Sequence, residues 1–471
     1  MGNFRVENKV LVECFNVEDI VVIPDGIEAI GDNVFANTDV VKVVIPESVK
    51  IIYGKAFQNC KKLHEVEVLG HLDIIHYNAF YGCTELRSFS GSVVELSRGV
   101  FEGCTALGEV HITGLKYCRE GVFKDCRRLS KITGLDTVVD IGEGAFIGCN
   151  NFAINGALIA KFGAGIYDKQ CIVSVKVPEG VTYIADEAFM GCSNLEEVYI
   201  GEDVEKIGKR AFVGCTALTG VWLPYIVDIE EELFCGCTKL ETVSMGVGTR
   251  YIKKRAFAGC TSLKSIVLPQ NLQSIGSGAF ANSGLTKIEI PVCIEVIEDS
   301  VFYGCESLKY VNLDNDMYVG RSNNVQIIKK DAFYGCKRLE SIDIPDSVHT
   351  IESHAFCCSG LINVTIGKGI RMISSDAFYR TPIQDNQNSD FITIDGVLMR
   401  YVGKSKEVII PDKIKCIATE AFYFNEYVED VIISDNVVAI GDCVFYGCEK
   451  LKDIHIRGSL ESVGERAFKV K

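Results

Sequence analysis

The 471-residue sequence has no excess of basic residues: 48 Lys and Arg stand against 63 Asp and Glu, a net charge of −15. Such a field repels phosphate backbones and anionic lipid surfaces, so no nucleic acid partner is expected. No apolar run approaches the roughly 18 residues of a membrane-spanning helix, and no membrane insertion is expected. Residues 1–15 carry Glu7 and Glu13 and no apolar stretch behind a basic start, which leaves no visible secretory signal. Val6 stands where a myristoylation signal beginning at Gly2 requires Ser or Thr. On these absences the chain reads as soluble and intracellular. Disorder is excluded by composition, since 48% of residues are apolar and 24% charged.

The 21 cysteines are an odd number in a chain without an export signal, which argues against a complete disulfide framework. Their spacing follows a period. A Phe, usually behind a small residue, returns 18 times from Phe35 to Phe468, and 14 of the 17 gaps are 21–23 residues. Five residues before it stands Ile in 15 copies, with Leu96, Cys118 and Val463 as the exceptions. Two residues after it stands Gly in 10 copies, Asn in three and Asp in one, the types that tolerate positive φ. A short helical turn closed by a left-handed residue is predicted there. Cys fills the next slot in 12 copies, and an alternating apolar stretch such as Leu218, Val221 and Leu223 then gives the period of a short strand. Eight of the nine prolines follow that strand and end it, while Pro382 is assigned to a loop.

No single unit of this kind can bury its apolar row. Stacking at the roughly 4.8 Å spacing of neighbouring strands covers it. The predicted fold is therefore a repeat solenoid of the α/β class, a right-handed coil with parallel strands and short helical turns, running as one body through residues 1–471. The pattern I-P-x-x-V-x-x-I-x-x-x-A-F-x-G-C-x-x-L, which residues 178–195 read from its Pro onward without a miss, resembles the BspA-like class of leucine-rich repeats. The resemblance spans essentially residues 20–468. It implies a protein-interaction or adhesion surface and a cell-surface location, from which the missing export signal and anchor depart.

Three stretches break the period: residues 3–24, 151–178 and 390–411. Each opens with an aromatic residue, Phe4, Phe152 or Phe391. The latter two then cross Asn155-Gly156 or Asp395-Gly396, dipeptides suited to a tight turn, where the first has Glu7-Asn8. They are predicted to be three inserted β-hairpins dividing the solenoid into blocks 1–150, 151–389 and 390–471. Residues 314–324 are predicted to form a polar loop. The final coil, ending at Lys471, is expected to leave an edge that is blunted by Lys469 and Lys471, is paired end to end with another copy, or is the cut end of a longer protein.

Catalytic or metal chemistry has little to work with. The 12 cysteines in one slot form an inward row of buried thiols, whereas a metal site needs ligands converging from different directions. Cys235 with Cys237, and Cys357 with Cys358, fall outside the repeat logic, yet neither pair belongs to a zinc-spaced set. His64, His71 and His76 cluster in sequence, but the register places His64 on an exposed strand and the others near a coil edge. Gly142-x-Gly144 and Gly276-x-Gly278 precede a repeat Phe and open no helix, so they are not phosphate loops. No enzyme, cofactor or metal is expected. The chain reads as a non-catalytic interaction scaffold presenting its strand face to a protein or glycan; a structural spacer without a ligand is the alternative. Among outward strand positions Tyr199 and Trp222 share a slot on adjacent coils, and with Lys176 they form the candidate ligand patch.

Overall fold

The structure of the chain is a computed structural model that describes residues 4–152, 156–223, 225–313 and 325–470. It comprises two compact units, Met1–Val175 and Lys176–Lys471. In both, each repeat closes into a coil whose sides are tied to the next coil by backbone hydrogen bonds. The parallel solenoid expected from the period is present. The predicted loop at 314–324, Lys471 and the turn residue Asn155 lie outside the described residues.

In the first unit one ladder runs in parallel through Ile20–Val22, Lys42–Ile45, Glu65–Ile75, Ser88–Leu96, Glu109–Thr113 and Lys131–Thr133. A second ladder joins the two-residue strands Ala29–Ile30, Ile51–Ile52, Tyr117–Cys118 and Asp140–Ile141 through the far halves of the two long strands. Those two strands are long because no proline ends them, as Pro46 ends Lys42–Ile45 one coil earlier. The turn of the longer strand passes Gly70, where a Cβ would meet the backbone of Glu47 at 2.6 Å. In the second unit Gly220–Leu223 pairs with Thr242–Met245, Ser341–Ile344 with Asn363–Ile366, and Asp430–Ile433 with Asp453–Ile456, again in parallel.

The third side is the Phe corner. Phe57 N–H donates to Ala79 O at 2.8 Å and Phe80 N–H to Val100 O at 2.9 Å, so the corner is itself a ladder. The small residue before the Phe is buried between coils at Ala56, Ala79 and Ala211. The corner is made of turns, such as Gln58 N–H to Lys55 O and Cys60 N–H to Phe57 O, in place of the predicted helical segment. The reason is a second left-handed residue two before the Phe, at 17 of the 18 copies, including Lys55 (φ 58) and Glu187 (φ 59). A helix cannot run through that conformation.

Inside, the Phe rings stack coil on coil: Phe57 on Phe80 at 5.1 Å and Phe333 on Phe356 at 5.1 Å, each within 1° of parallel. Each such ring contributes roughly 1.5–3 kcal/mol by leaving water. Beside them runs the row five residues earlier, with Ile30, Ile52, Ile75 and Ile252 fully buried.

Two of the three insertions are hairpins. Phe4–Glu7 pairs antiparallel with Val10–Cys14, and Phe391–Ile394 with Val397–Tyr401. Their turns have positive φ at both central residues, Asn8 and Lys9 in one and Asp395 and Gly396 in the other, which matches the twist of the flanking strands. The predicted hairpin at 151–178 is corrected. Gly156–Phe162 is an α-helix, followed by 3-10 turns at Ala164–Ile166 and Lys169–Cys171. Ala157, Leu158 and Ala160 favour a helix, where the two true hairpins carry Val, Ile and Thr. Pro382, assigned to a loop, opens the short helix Pro382–Asp385, at the position where its missing N–H costs nothing.

Candidate interaction surface

Residues alternate along each ladder strand, so one set packs inward and the other faces out. In the second unit this places the three predicted residues in one row. Lys176 and the strands Glu197–Tyr199, Gly220–Leu223 and Thr242–Met245 are neighbours in one sheet. Val177 N–H donates to Tyr199 O at 2.9 Å, and Glu197 stands opposite Gly220, which puts Tyr199 opposite Trp222 two residues on. Trp222 stands opposite Ser244. Lys176 is exposed, and the rings of Tyr199 and Trp222 are 58% and 52% exposed, so neither is folded under a neighbouring strand. The Tyr199 hydroxyl donates to Glu197 Oε2 at 2.8 Å, a bond that fixes the ring and, with the carboxylate's charge, raises the phenol's pKa.

The exposed apolar area extends beyond what strand alternation indicates. Tyr225, three residues past Trp222, is 60% exposed, and Val247 follows it by one coil at 88%. These two sit past the end of a strand, where no period assigns a face. Val267, at the Trp222 slot two coils on, is 85% exposed. Large exposed rings set among small side chains are the composition of an interface core.

The other sequence candidates resolve into structural roles. His71 Nδ1 lies 2.8 Å from Ser92 Oγ, His76 stacks on Tyr53 at 5.3 Å, and His64 Nε2 lies 3.1 Å from Glu85, so the three rings have separate partners. Among the described residues no three metal-ligating side chains gather. Gly142 is tight because a Cβ there would meet Glu120 N at 2.3 Å, a contact between coils with no phosphate role.

The cysteine row has a bonding function. Cys60, Cys83, Cys104 and Cys126 each donate Sγ–H to the Phe carbonyl one coil earlier, at 2.9–3.1 Å, and Cys215 through Cys336 repeat the contact. The slot wants a small side chain with one donor, which is why Thr38, Ser283, Ser359 and Thr381 also fill it. All 21 cysteines are free thiols, and burial pushes Cys60 and Cys149 up to about 12. A cleft of about 580 Å³ lies among residues 366–371, 395–397, 412–416 and 436–461. There Arg371 is closed on Glu461 at 2.9 Å, and the Cys416 thiol, pushed up to about 12 by burial, is no nucleophile.

Coils of this period, tied by parallel ladders and open along one strand face, define a leucine-rich-repeat scaffold. The chain belongs to the BspA type leucine-rich repeat family, whose profile matches six times, over residues 5–95, 28–153, 160–248, 227–322, 318–395 and 392–471. Such repeats mediate protein interactions or adhesion and are generally non-catalytic. Among solved structures, a leucine-rich repeat protein from Bacteroides ovatus is 20% identical, covering 73% of this chain and 93% of that one, with a TM-score of 0.39. A leucine-rich cell surface protein from Faecalibacterium prausnitzii is 18% identical over 97% of this chain and 94% of that one (TM-score 0.28). The leucine-rich repeat protein of T. pallidum is 26% identical over 46% and 86% (TM-score 0.25). Among curated proteins none matches. No helix of the described residues is long and apolar enough to cross a membrane.

Proposed function

We propose that the chain is a non-catalytic interaction scaffold that holds a protein or glycan partner on its strand face, with Lys176, Tyr199 and Trp222 at the centre of contact. The observation that carries this reading is the pair of exposed rings in one slot of adjacent coils, continued by Tyr225 and Val247. Neither ring is part of the buried core. The organisation into blocks 1–150, 151–389 and 390–471, and end-to-end pairing with a second copy, belong to the same proposal. So does a location at the cell surface, for which family membership speaks.

The test has two arms. Trp222 fluorescence should be quenched readily by acrylamide, and Trp222→Ala should melt with the wild type. Immobilised wild-type chain should then retain defined partners from a glycan array or a cell-surface protein fraction, and Trp222→Ala or Tyr199→Ala should weaken each roughly 30-fold, the loss of one central aromatic anchor. Retention unchanged in both variants would move the site elsewhere. A wild type that retains nothing favours the spacer.

A further inference from the structure

One corner of the second unit holds two thiols in contact: Cys357 Sγ lies 3.4 Å from Cys358 Sγ. They follow Phe356 directly, and Cys358 occupies the left-handed slot (φ 59) that most coils give to Gly, Asn or Asp. A Cβ is strained in that conformation, which a glycine such as Gly335 one coil earlier avoids. The backbone is pinned from both sides. Gly335 N–H donates to Cys357 O at 2.9 Å, and Cys358 N–H to Tyr379 O at 2.9 Å. The coil stack therefore holds the two side chains together.

The surroundings differ from those of the cysteine row. Cys357 is 3% exposed and Cys358 half-buried, with Cys358 Sγ 3.7 Å from the Tyr334 hydroxyl. Tyr334 stacks on Tyr303 at 4.9 Å, and on the next coil Arg380 lies over the Tyr379 ring. Row thiols such as Cys336 are covered and bonded to a Phe carbonyl. The outer thiol here is reachable, and a second thiol waits behind it.

We propose that Cys357 and Cys358 form a reversible dithiol–disulfide site, oxidised by low-molecular-weight disulfides of the glutathione type. The Cys358 thiolate attacks one sulfur of the oxidant and expels the first thiolate, leaving a mixed disulfide. Cys357 then gives up its proton and attacks Cys358 Sγ, expelling the second thiolate. The protein loses two protons and two electrons, and the oxidant, which takes them up, leaves as two thiols. Burial and the neighbouring Cys358 push Cys357 up to about 12, which makes it a poor first nucleophile and assigns Cys358 the opening step. Closure removes the Cys358 thiol proton that bonds the Tyr334 hydroxyl.

The experiment incubates the full chain with oxidised glutathione, alkylates it, and reads tryptic peptides by mass spectrometry. Residues 339–368 form one such peptide with no other cysteine. It should lose two hydrogens, carry no glutathione, and recover both thiols in dithiothreitol. Cys171, exposed and beside Asp168, serves as the internal control and should stop at the mixed disulfide. Cys357→Ser should trap glutathione on Cys358, and Cys358→Ser should leave Cys357 unmodified. Phenylarsine oxide, which closes a ring on two adjacent thiols, should protect Cys358 from alkylation in the native wild type and should not do so in Cys357→Ser. A stable adduct on wild-type Cys358, or a pair that stays reduced while Cys171 reacts, overturns the proposal.

Discussion

At the scale of single residues, side chains one position apart in a strand or turn can have opposite fates. Ile275 is 1% exposed against Ile252 of the previous coil while Ser274 beside it is exposed, and Lys264 is exposed beside buried Leu263. Ile275→Asp should cost several kcal/mol, because it places an unpaired carboxylate in the apolar row, and Lys264→Asp should stay within about 0.5 kcal/mol. Urea denaturation of the two variants checks this, and equal midpoints would refute the register. Alternation made Lys176, Tyr199 and Trp222 legible in the sequence because they lie inside strands. It gave no sign of Tyr225 or Val247, which sit past a strand end. The cysteine slot was legible as buried, yet its hydrogen bond to the Phe carbonyl was not, since the acceptor belongs to the previous coil about 25 residues away.

At the scale of the element, the corner is the part the sequence conceals most. The left-handed residue after the Phe announces itself as Gly or Asn, but the one before it is often charged: Lys55, Glu187, Arg210, Glu420. The strain there is covered by backbone bonds to the next coil, such as Glu420 N–H to Asp442 O at 2.9 Å, so composition carries no signal. Exposed Glu420 (φ 62) allows a direct check. Glu420→Asn should be neutral or stabilising by a few tenths of a kcal/mol, and Glu420→Val should destabilise by about 1–2 kcal/mol, because a β-branched side chain tolerates this conformation least. Guanidinium melts that rank Val with Asn would mean the turn relaxes out of the left-handed region. The same competition between local preference and turn signal explains residues 151–178. There the Asn-Gly dipeptide pointed to a hairpin, and the alanine- and leucine-bearing run behind it won.

At the scale of the whole molecule, the thiols couple stability to pH. In the first unit burial raises the pKa of Cys60, Cys118 and Cys149 to about 12, lifts Cys83 and Cys126 well above the ordinary value, and raises Cys104. An unfolded cysteine ionises near 8.5. Because the folded values are higher, the stabilisation is fully present below about pH 8.5 and is lost as pH rises toward the folded values, the unfolded chain alone gaining from ionisation. At pH 10 Cys60, Cys118 and Cys149 each then cost the fold about 2 kcal/mol, on the order of 6 kcal/mol together, and the other three add in the same direction. That reaches the net stability of a typical domain, roughly 5–15 kcal/mol, so the first unit should unfold cooperatively near pH 10. Circular dichroism together with the ultraviolet absorbance of thiolate should show both changes at one midpoint. Replacing Cys60, Cys83 and Cys104 by Ser keeps a small donor in the slot and removes its titration, so the midpoint should move upward. Maleimide at pH 8 should reach these cysteines only after denaturation. Thiolate absorbance growing smoothly from pH 8.5 in a chain that stays folded would place the row in contact with water and remove this account of what the cysteines do.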